Sequence, residues 1–307
     1  TMVTSPLILY HYPASPYAEK VRLLAGYLGV AWQSVDVPIQ PPRDQLAILA
    51  GGYRRIPVMQ CGADIFCDTA VICDEVISRS DKSLALCSAE ALAIAHRAET
   101  DVFFAAIRQG SQLKTAIGLT MMLGVKGMLA FAKDRASFAQ GHGPAAQTPD
   151  VAKSTFNAFL QDLEQMLQSQ SYLSGEAPCL SDFRCYHPIF LAKGFKSIKE
   201  AALPVGVKAW MARIEGFGWG HCEDISGDEA VVAAKSHEPR PLPEGIADHP
   251  DVGQWVTVTP LDTGRVPVTG TLVSRSDTRI IVARRSEDVG LCHVHFPAAG
   301  FECNVIN

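Results

Sequence analysis

Short apolar runs alternate with helical repeats over about the first 80 residues of the chain. An apolar run over 7–10 predicts a buried strand, and apolar positions at helical spacing over 17–28 predict a helix that stops at Gly29. The remaining predicted elements are strands over 32–37, 56–61 and 63–66 and helices over 43–50 and 70–78. This β-α-β-α-β-β-α order predicts a small α/β domain over residues 1–82.

From about residue 88 to 217, the helical period alone remains. Its apolar repeats cover 90–110, 117–139, 150–168, 181–192 and 205–214. They predict an all-helical domain over 88–217. The most apolar stretch, 115–132, is interrupted by Lys126 and three glycines. We therefore expect it to be a buried core helix rather than a membrane span.

The predicted secondary structure changes again after residue 217. Residues 218–250 contain a proline-rich run, which predicts a stiff linker. Strand-like runs then cover 254–258, 268–273, 278–283 and 291–296. Residues 251–307 are therefore expected to form a strongly bent antiparallel β module of about five strands, a barrel that is SH3-like in size.

Composition excludes several classes of function. The net charge is −5 and is spread along the chain, and residues 251–307 carry five Arg against six Asp plus Glu, so neither nucleic acid nor a membrane is the expected partner. Nine cysteines without a C-x-x-C motif suit neither a zinc site nor a disulfide framework. His293 and His295 share a strand face, but no carboxylate or cysteine is clearly placed with them, so no metal is expected. No targeting segment is visible, and a cytoplasmic protein is expected.

Ser15 and Pro16 open the first helix directly after a strand. Serine is a preferred N-cap and proline suits the first helical position, so capping alone accounts for the pair. The same geometry also suits a bound anion, because the helix dipole and the hydroxyl both favour negative charge there. A thiol near pKa 8.5 needs about 1.4 kcal/mol of thiolate stabilisation for each unit of lowering. One charge-assisted hydrogen bond of about 1.5–3 kcal/mol is sufficient for that.

A second feature is the run Arg54-Arg55-Ile56-Pro57. A trans proline at a strand edge is the ordinary alternative. A cis Ile56–Pro57 bond would instead turn the chain and leave the backbone of Ile56 to pair with an extended ligand.

Asp68 and Thr69 form a third feature at the start of the predicted helix 70–78. Capping again accounts for them. The functional alternative is that Asp68 pairs with the ammonium of a ligand, while Thr69 and the helix amides bind the carboxylate of the same ligand.

The order and spacing of these features resemble the glutathione S-transferase superfamily. The matching motifs are S-P-Y at 15–17, R-I-P-V at 55–58, D-T at 68–69, L-S-D-F at 180–183 and V-K-A-W-M-A-R at 207–213. The S-P-Y motif is similar to that of the serine-type classes, such as tau. The resemblance covers residues 7 to about 217 and implies a thioredoxin-like domain followed by a helical domain.

What the resemblance implies is a glutathione transferase with glutathione as co-substrate and a small hydrophobic electrophile as partner. Ser15 would activate the thiol, with Tyr12 as a fallback donor. The implied glutathione-binding residues are Ser15, Tyr17, Arg55, Ile56, Pro57, Asp68 and Thr69. The implied electrophile pocket is Tyr12, Tyr17, Phe103, Phe104 and Arg108, although a plain core face fits that helix equally well. A homodimer is also implied.

Four departures from the family pattern stand out. Asp68 is one methylene shorter than the usual glutamate, and Cys179 replaces the usual serine or threonine cap before L-S-D-F. Gly51-Gly52-Tyr53 replaces N-P-x, so Arg54 or Arg55 is left to take the glycyl carboxylate. The β module is absent from ordinary members. A glutathione-dependent isomerase, lyase or dehalogenase also fits the residues, and so does a non-catalytic binding or assembly module that acts through the β module.

Overall fold

The computed structural model describes residues 5–139, 147–242 and 249–306. Its first part contains β1 (Leu7–His11), α1 (Pro16–Leu28), β2 (Trp32–Asp36), α2 (Asp44–Ala50), β3 (Val58–Cys61), β4 (Asp64–Cys67) and α3 (Thr69–Ser78). β1 pairs with β2 in parallel and with β3 antiparallel, and β3 pairs with β4 antiparallel. The predicted α/β order and the thioredoxin-like fold of this part are thereby confirmed.

Local chemistry sets the ends of the first helix. The Ser15 hydroxyl accepts a hydrogen bond from the Ala18 amide, and Pro16 occupies the first turn. Gly29 ends the helix in the left-handed region at φ 67°, a conformation that glycine adopts without steric cost. The sequence signals at both ends are therefore the ones that the structure uses.

The helical region contains α4 (Ala89–Glu99), α5 (Asp101–Arg108), α6 (Gln112–Ala139), α7 (Pro149–Met166), α8 (Leu180–Gly194) and α9 (Val205–Glu215). One turn of 3₁₀ helix, Glu200–Ala202, precedes α9. The single repeat over 90–110 is divided at Thr100, whose backbone leaves the helical region. Among these helices, α4, α5, α7, α8 and α9 share one core with α1 and α3.

The expectation of a buried helix at 115–132 is wrong. None of the α6 side chains that the structure describes is buried, and Met121 is 83% exposed. Gly124 has non-helical dihedrals, so two helical segments meet there at a kink. The apolar composition of α6 therefore does not serve the core of this chain. No helix among the described residues is long and apolar enough to cross a membrane.

Residues 218–242 are more ordered than the predicted linker. They hold β5 (Cys222–Asp224), which pairs with β2 in parallel, and α10 (Gly227–Lys235). Ser226 and Glu229 form a reciprocal capping box at the start of α10. Part of the predicted linker 218–250, residues 243–248, lies outside the described residues.

The C-terminal strands continue the sheet of the first part. They are β6 (Trp255–Pro260), β7 (Val268–Arg275), β8 (Arg279–Ser286), β9 (Gly290–Pro297) and β10 (Phe301–Val305). β9 pairs with β4 in parallel, which gives one ten-stranded sheet in the order β10-β6-β7-β8-β9-β4-β3-β1-β2-β5. The five predicted antiparallel strands are present, but as an extension of that sheet, and an SH3-like barrel is not confirmed.

A buried ionic group fastens the extension to β4. Asp64 accepts a hydrogen bond from His295 Nε2 at 2.7 Å and another from the backbone amide of Arg240 at 2.9 Å. The Arg240 guanidinium also reaches Glu75 of α3 at 3.0 Å. Because a buried carboxylate is costly without partners, these contacts account for the charge of Asp64 in the core.

Candidate functional site

Ser15 lies at the start of α1 with 1% of its surface exposed. Its amide donates to the Tyr12 carbonyl at 3.1 Å, and its hydroxyl oxygen accepts from the Ala18 amide at 3.3 Å. The hydroxyl proton remains to donate to a group placed at the helix N-terminus. The structure therefore shows the cap that the sequence predicted, and the thiol-activating role of Ser15 stays a prediction.

Arg22 holds the loop before Ser15, a role that sequence reasoning missed. Its side chain is fully buried and donates to the carbonyls of Tyr12 at 3.2 Å and Pro13 at 2.9 Å. It also pairs with Glu19 at 2.7 Å. Arg22 Nη1 lies 2.8 Å from His11 Nδ1, and since Arg22 can only donate, that ring nitrogen must accept. Burial, followed by the charge of Arg22, lowers the pKa of His11 to about 4.

The predicted anion-binding residue Arg55 contacts the C-terminal extension. Its guanidinium pairs with Asp262 and donates to the Thr263 carbonyl, 3.1 Å from Nε. It also lies 3.6 Å from Asp68. Arg54 pairs instead with Asp134 of α6 at 2.5 Å. The loop between β6 and β7 thus reaches Arg55, one of the two arginines predicted to take the glycyl carboxylate of a ligand.

Asp68 caps α3 at a φ of 90°, which is unusual for a residue with a side chain. Its carboxylate accepts from the Ala70 amide at 2.9 Å. Burial raises the pKa of Asp68, and the Ala70 amide and Arg55 only partly offset that effect. The Ile56–Pro57 bond that precedes β3 is cis, as the functional alternative required.

Thr69 belongs to a partly buried ionic group that links the two parts of the chain. Lys20 Nζ donates to Thr69 Oγ1 and to Glu99 Oε1, each at 2.7 Å. Arg184 of α8 donates to Glu99 Oε2 from Nε at 3.0 Å and from Nη2 at 2.8 Å. Burial opposes ionisation of Glu99, but Lys20 and Arg184 outweigh it and lower its pKa to about 2. No pattern of neighbouring residues indicates that Lys20 and Glu99 would meet.

An aromatic group lies beside these charges. The Tyr17 ring is 4.9 Å from that of Phe103 and 4.6 Å from that of His187, between centroids. Phe103 in turn contacts Phe104 edge-on at 5.6 Å. Burial lowers the pKa of His187 to about 3, so this ring is neutral at physiological pH. Phe103 and Phe104 are only partly buried, whereas Ala105 on the same helix belongs to the core.

Other predicted residues stand apart from this group. Arg108 is exposed, and its Nε donates to the Gln147 carbonyl at 3.3 Å. His295 is bound to Asp64 and stacks on Phe66 at 4.5 Å. Across the described residues, no group of histidine, cysteine and carboxylate side chains is arranged to hold a metal ion. All nine cysteines are free thiols.

The motif at 180–183 keeps the cap that Cys179 placed in doubt. The Asp182 carboxylate accepts from the amides of Cys179 and Leu173, both at 2.9 Å, and from Trp210 Nε1 at 2.8 Å. The last bond joins this motif to the one at 207–213. The replacement of serine or threonine by cysteine has therefore left the carboxylate half of the capping box in place.

Comparison with known proteins shows which family model and which solved structures this chain is similar to. Residues 9–83 match the family model described as the N-terminal domain of glutathione S-transferase. A GST-like protein from Pseudomonas syringae has 28% sequence identity and a TM-score of 0.74, and the match covers 98% of this chain and 100% of that one. A match of that extent includes the strands that follow the helical region. These two findings support the glutathione S-transferase superfamily.

Other solved structures are similar at a lower level. A glutathione S-transferase from Rhodospirillum rubrum has 16% identity and a TM-score of 0.48, with 68% of this chain and 87% of that chain covered. FzlA from C. crescentus has 16% identity and a TM-score of 0.47, with coverage of 68% and 88%. The comparison with curated proteins gives no match.

Proposed function

We propose that this protein, whose matches support the glutathione S-transferase superfamily, binds glutathione, activates its thiol through Ser15 and adds it to a small hydrophobic electrophile. The observation that carries the proposal is the position of the Ser15 hydroxyl at the N-terminus of the 13-residue helix α1. That hydroxyl accepts from Ala18 and keeps its own proton for a thiolate. The helix dipole adds to the same preference for negative charge.

In this proposal, neighbouring residues bind the remaining groups of the tripeptide. Asp68 offers a carboxylate to the γ-glutamyl ammonium, and Thr69 offers a hydroxyl to its carboxylate. The backbone of Ile56, before Pro57, pairs with the cysteinyl unit. Arg55 takes the glycyl carboxylate, which then competes with Asp262 for the guanidinium. Asp262 is well suited to give way, because its side chain is 61% exposed and exposed ion pairs contribute little.

The electrophile is placed against Tyr12, Tyr17, Phe103 and Phe104, with Arg108 at the margin. Aromatic rings within 4.9 and 5.6 Å of one another favour flat apolar substrates, such as aryl halides. Holding such a substrate beside a thiolate provides proximity as well as nucleophile activation.

The test combines glutathione binding by calorimetry, the ultraviolet absorbance of the bound thiolate, and thermal unfolding. Ser15→Ala is compared with Ser88→Ala, a matched control that removes the N-cap of α4, whose hydroxyl accepts from the Ala91 amide at 3.1 Å. Each variant should lose about 1 kcal/mol of stability through its cap. Only Ser15→Ala should lose the thiolate band and turnover of an aryl halide. A Ser15→Ala protein that keeps the thiolate would refute the proposal.

We further propose that the protein is a homodimer. The support is α6, a 28-residue helix with apolar side chains exposed at Leu113, Ile117, Met121, Val125 and Leu129. Contiguous exposed apolar surface marks an interaction site more often than a free surface. Sedimentation equilibrium over a range of protein concentrations measures the mass directly, and a monomer at all concentrations would contradict the proposal.

A further inference from the structure

Lys20 is an ammonium group buried beside the candidate ligand site. Its side chain is 3% exposed, and its Nζ lies 2.7 Å from Thr69 Oγ1 and 2.7 Å from Glu99 Oε1. It also lies 5.3 Å from the centre of the Tyr17 ring. Burying a charge is unfavourable unless it is paired. Lys20 and Arg184 share the carboxylate of Glu99, and Lys20 also acts electrostatically on the carboxylate of Asp68, next to Thr69 in the sequence.

The contact with Lys20 fixes what Thr69 can do. A threonine hydroxyl has one proton to donate and two lone pairs to accept with, whereas an ammonium can only donate. Thr69 Oγ1 must therefore accept from Lys20. Its own proton is then available to a ligand acceptor, and the donated bond from a cation makes that proton a stronger donor.

We infer that Lys20 is a positioning residue that acts through Thr69 and makes this end of the site specific for a carboxylate. The inference rests on the proposed function, in which that carboxylate is the α-carboxylate of the γ-glutamyl group. Thr69 donates to it, and the Lys20 ammonium lies directly behind as the compensating charge. Glu99 and Arg184 come from helices α4 and α8, so the helical part of the chain holds the ammonium in place.

The inference is tested with two tripeptides that differ by one group. Glutathione carries the carboxylate, and 4-aminobutyryl-cysteinylglycine keeps the ammonium and thiol but lacks that carboxylate. Wild-type protein should bind glutathione at least tenfold more tightly than the analogue, as measured by calorimetry. Lys20→Met should reduce that preference to less than threefold by weakening glutathione binding alone.

A second pair of variants guards against misfolding. Lys82→Met is the matched control, because Lys82 is exposed and its Nζ donates only to the Tyr27 carbonyl at 2.8 Å among the hydrogen bonds described, so its preference for glutathione should remain at least tenfold. Lys20→Met in a Glu99→Gln background removes both charges of the Lys20–Glu99 pair together, so that no Glu99 carboxylate is left with one partner fewer, and it should again abolish the preference. Circular dichroism and thermal unfolding confirm that each variant is folded.

Three results would overturn the inference. They are an unchanged preference in Lys20→Met, an equal loss of affinity of Lys20→Met for both tripeptides, and a loss of preference in Lys82→Met as large as in Lys20→Met. In each of these cases wild-type protein still binds glutathione, so the proposed function stands. Wild-type protein that does not bind glutathione overturns the proposed function, and the inference with it.

Discussion

Replacing Glu99 with glutamine should remove a defined part of the acid sensitivity of folding. Glu99 accepts from Lys20 at 2.7 Å and from two nitrogens of Arg184 at 2.8 and 3.0 Å. The glutamine side chain keeps the size and the hydrogen-bonding oxygen but carries no charge. The interaction that is lost is therefore mainly the one between the carboxylate and its two cations.

The magnitude follows from the pKa of Glu99. Burial alone would raise it, but Lys20 and Arg184 lower it from 4.5 to about 2 in the folded protein. Because the folded pKa is depressed, the contribution is fully present above pH 4.5 and is lost as the pH falls towards 2. A difference of about 2.5 units at 1.36 kcal/mol each gives roughly 3 kcal/mol at pH 7, and less than half of that near pH 3.

Urea unfolding followed by tryptophan fluorescence measures the difference, because wild type and variant share every other titrating group. At pH 7 the variant should be less stable by roughly 3 kcal/mol, and the gap should narrow steadily below pH 4.5. A gap that is the same at pH 7 and pH 3 would refute the electrostatic argument. It would mean that glutamine disturbs packing rather than charge.

Two further outcomes are expected. Asp182→Ala should lower the free energy of unfolding by about 3 kcal/mol or more, because three donors, including Trp210, lose a buried charged acceptor. Urea unfolding measures this loss. Glu229→Ala, which removes the carboxylate of an exposed capping box, is the control and should lose much less stability. His187→Phe should be the more acid-resistant protein, since burial lowers the pKa of His187 from 6.5 to about 3 and the unfolded chain alone takes up that proton as the pH falls below 6.5. Melting temperatures at pH 7 and pH 4.5 test it, and an equal decrease in wild type and variant is the contrary result.

Local signals predicted the first part of the chain well. Ser15, Pro16 and Gly29 determine their own backbone conformations through a cap, a ring and a missing Cβ, so the ends of α1 could be read from neighbouring residues. The cap that Asp68 forms at the start of α3 could be predicted in the same way, because it involves the nearby Ala70 amide. These features depend on residues within about four positions of each other, which is the range that a sequence pattern describes.

Contacts between distant residues could not be read in this way. The parallel register of β4 with β9 joins Asp64 to His293, which no periodicity encodes. Lys20 and Glu99 meet only because α1 and α4 both pack against α8. The error at 115–132 has a different cause, since apolar composition favours burial, although apolar side chains also make up much of the exposed surface of folded proteins.

The order of strands in the sheet bears on how the protein is made. β1 to β4 leave the ribosome early, but their two outer neighbours, β5 and β9, begin at Cys222 and Gly290. During most of synthesis, β2 and β4 therefore present unpaired backbone groups that can pair with the wrong chain. The thioredoxin-like part is thus completed by segments translated after it, and the shortness of β2 and β4, five and four residues, limits the edge that can pair with the wrong chain during translation.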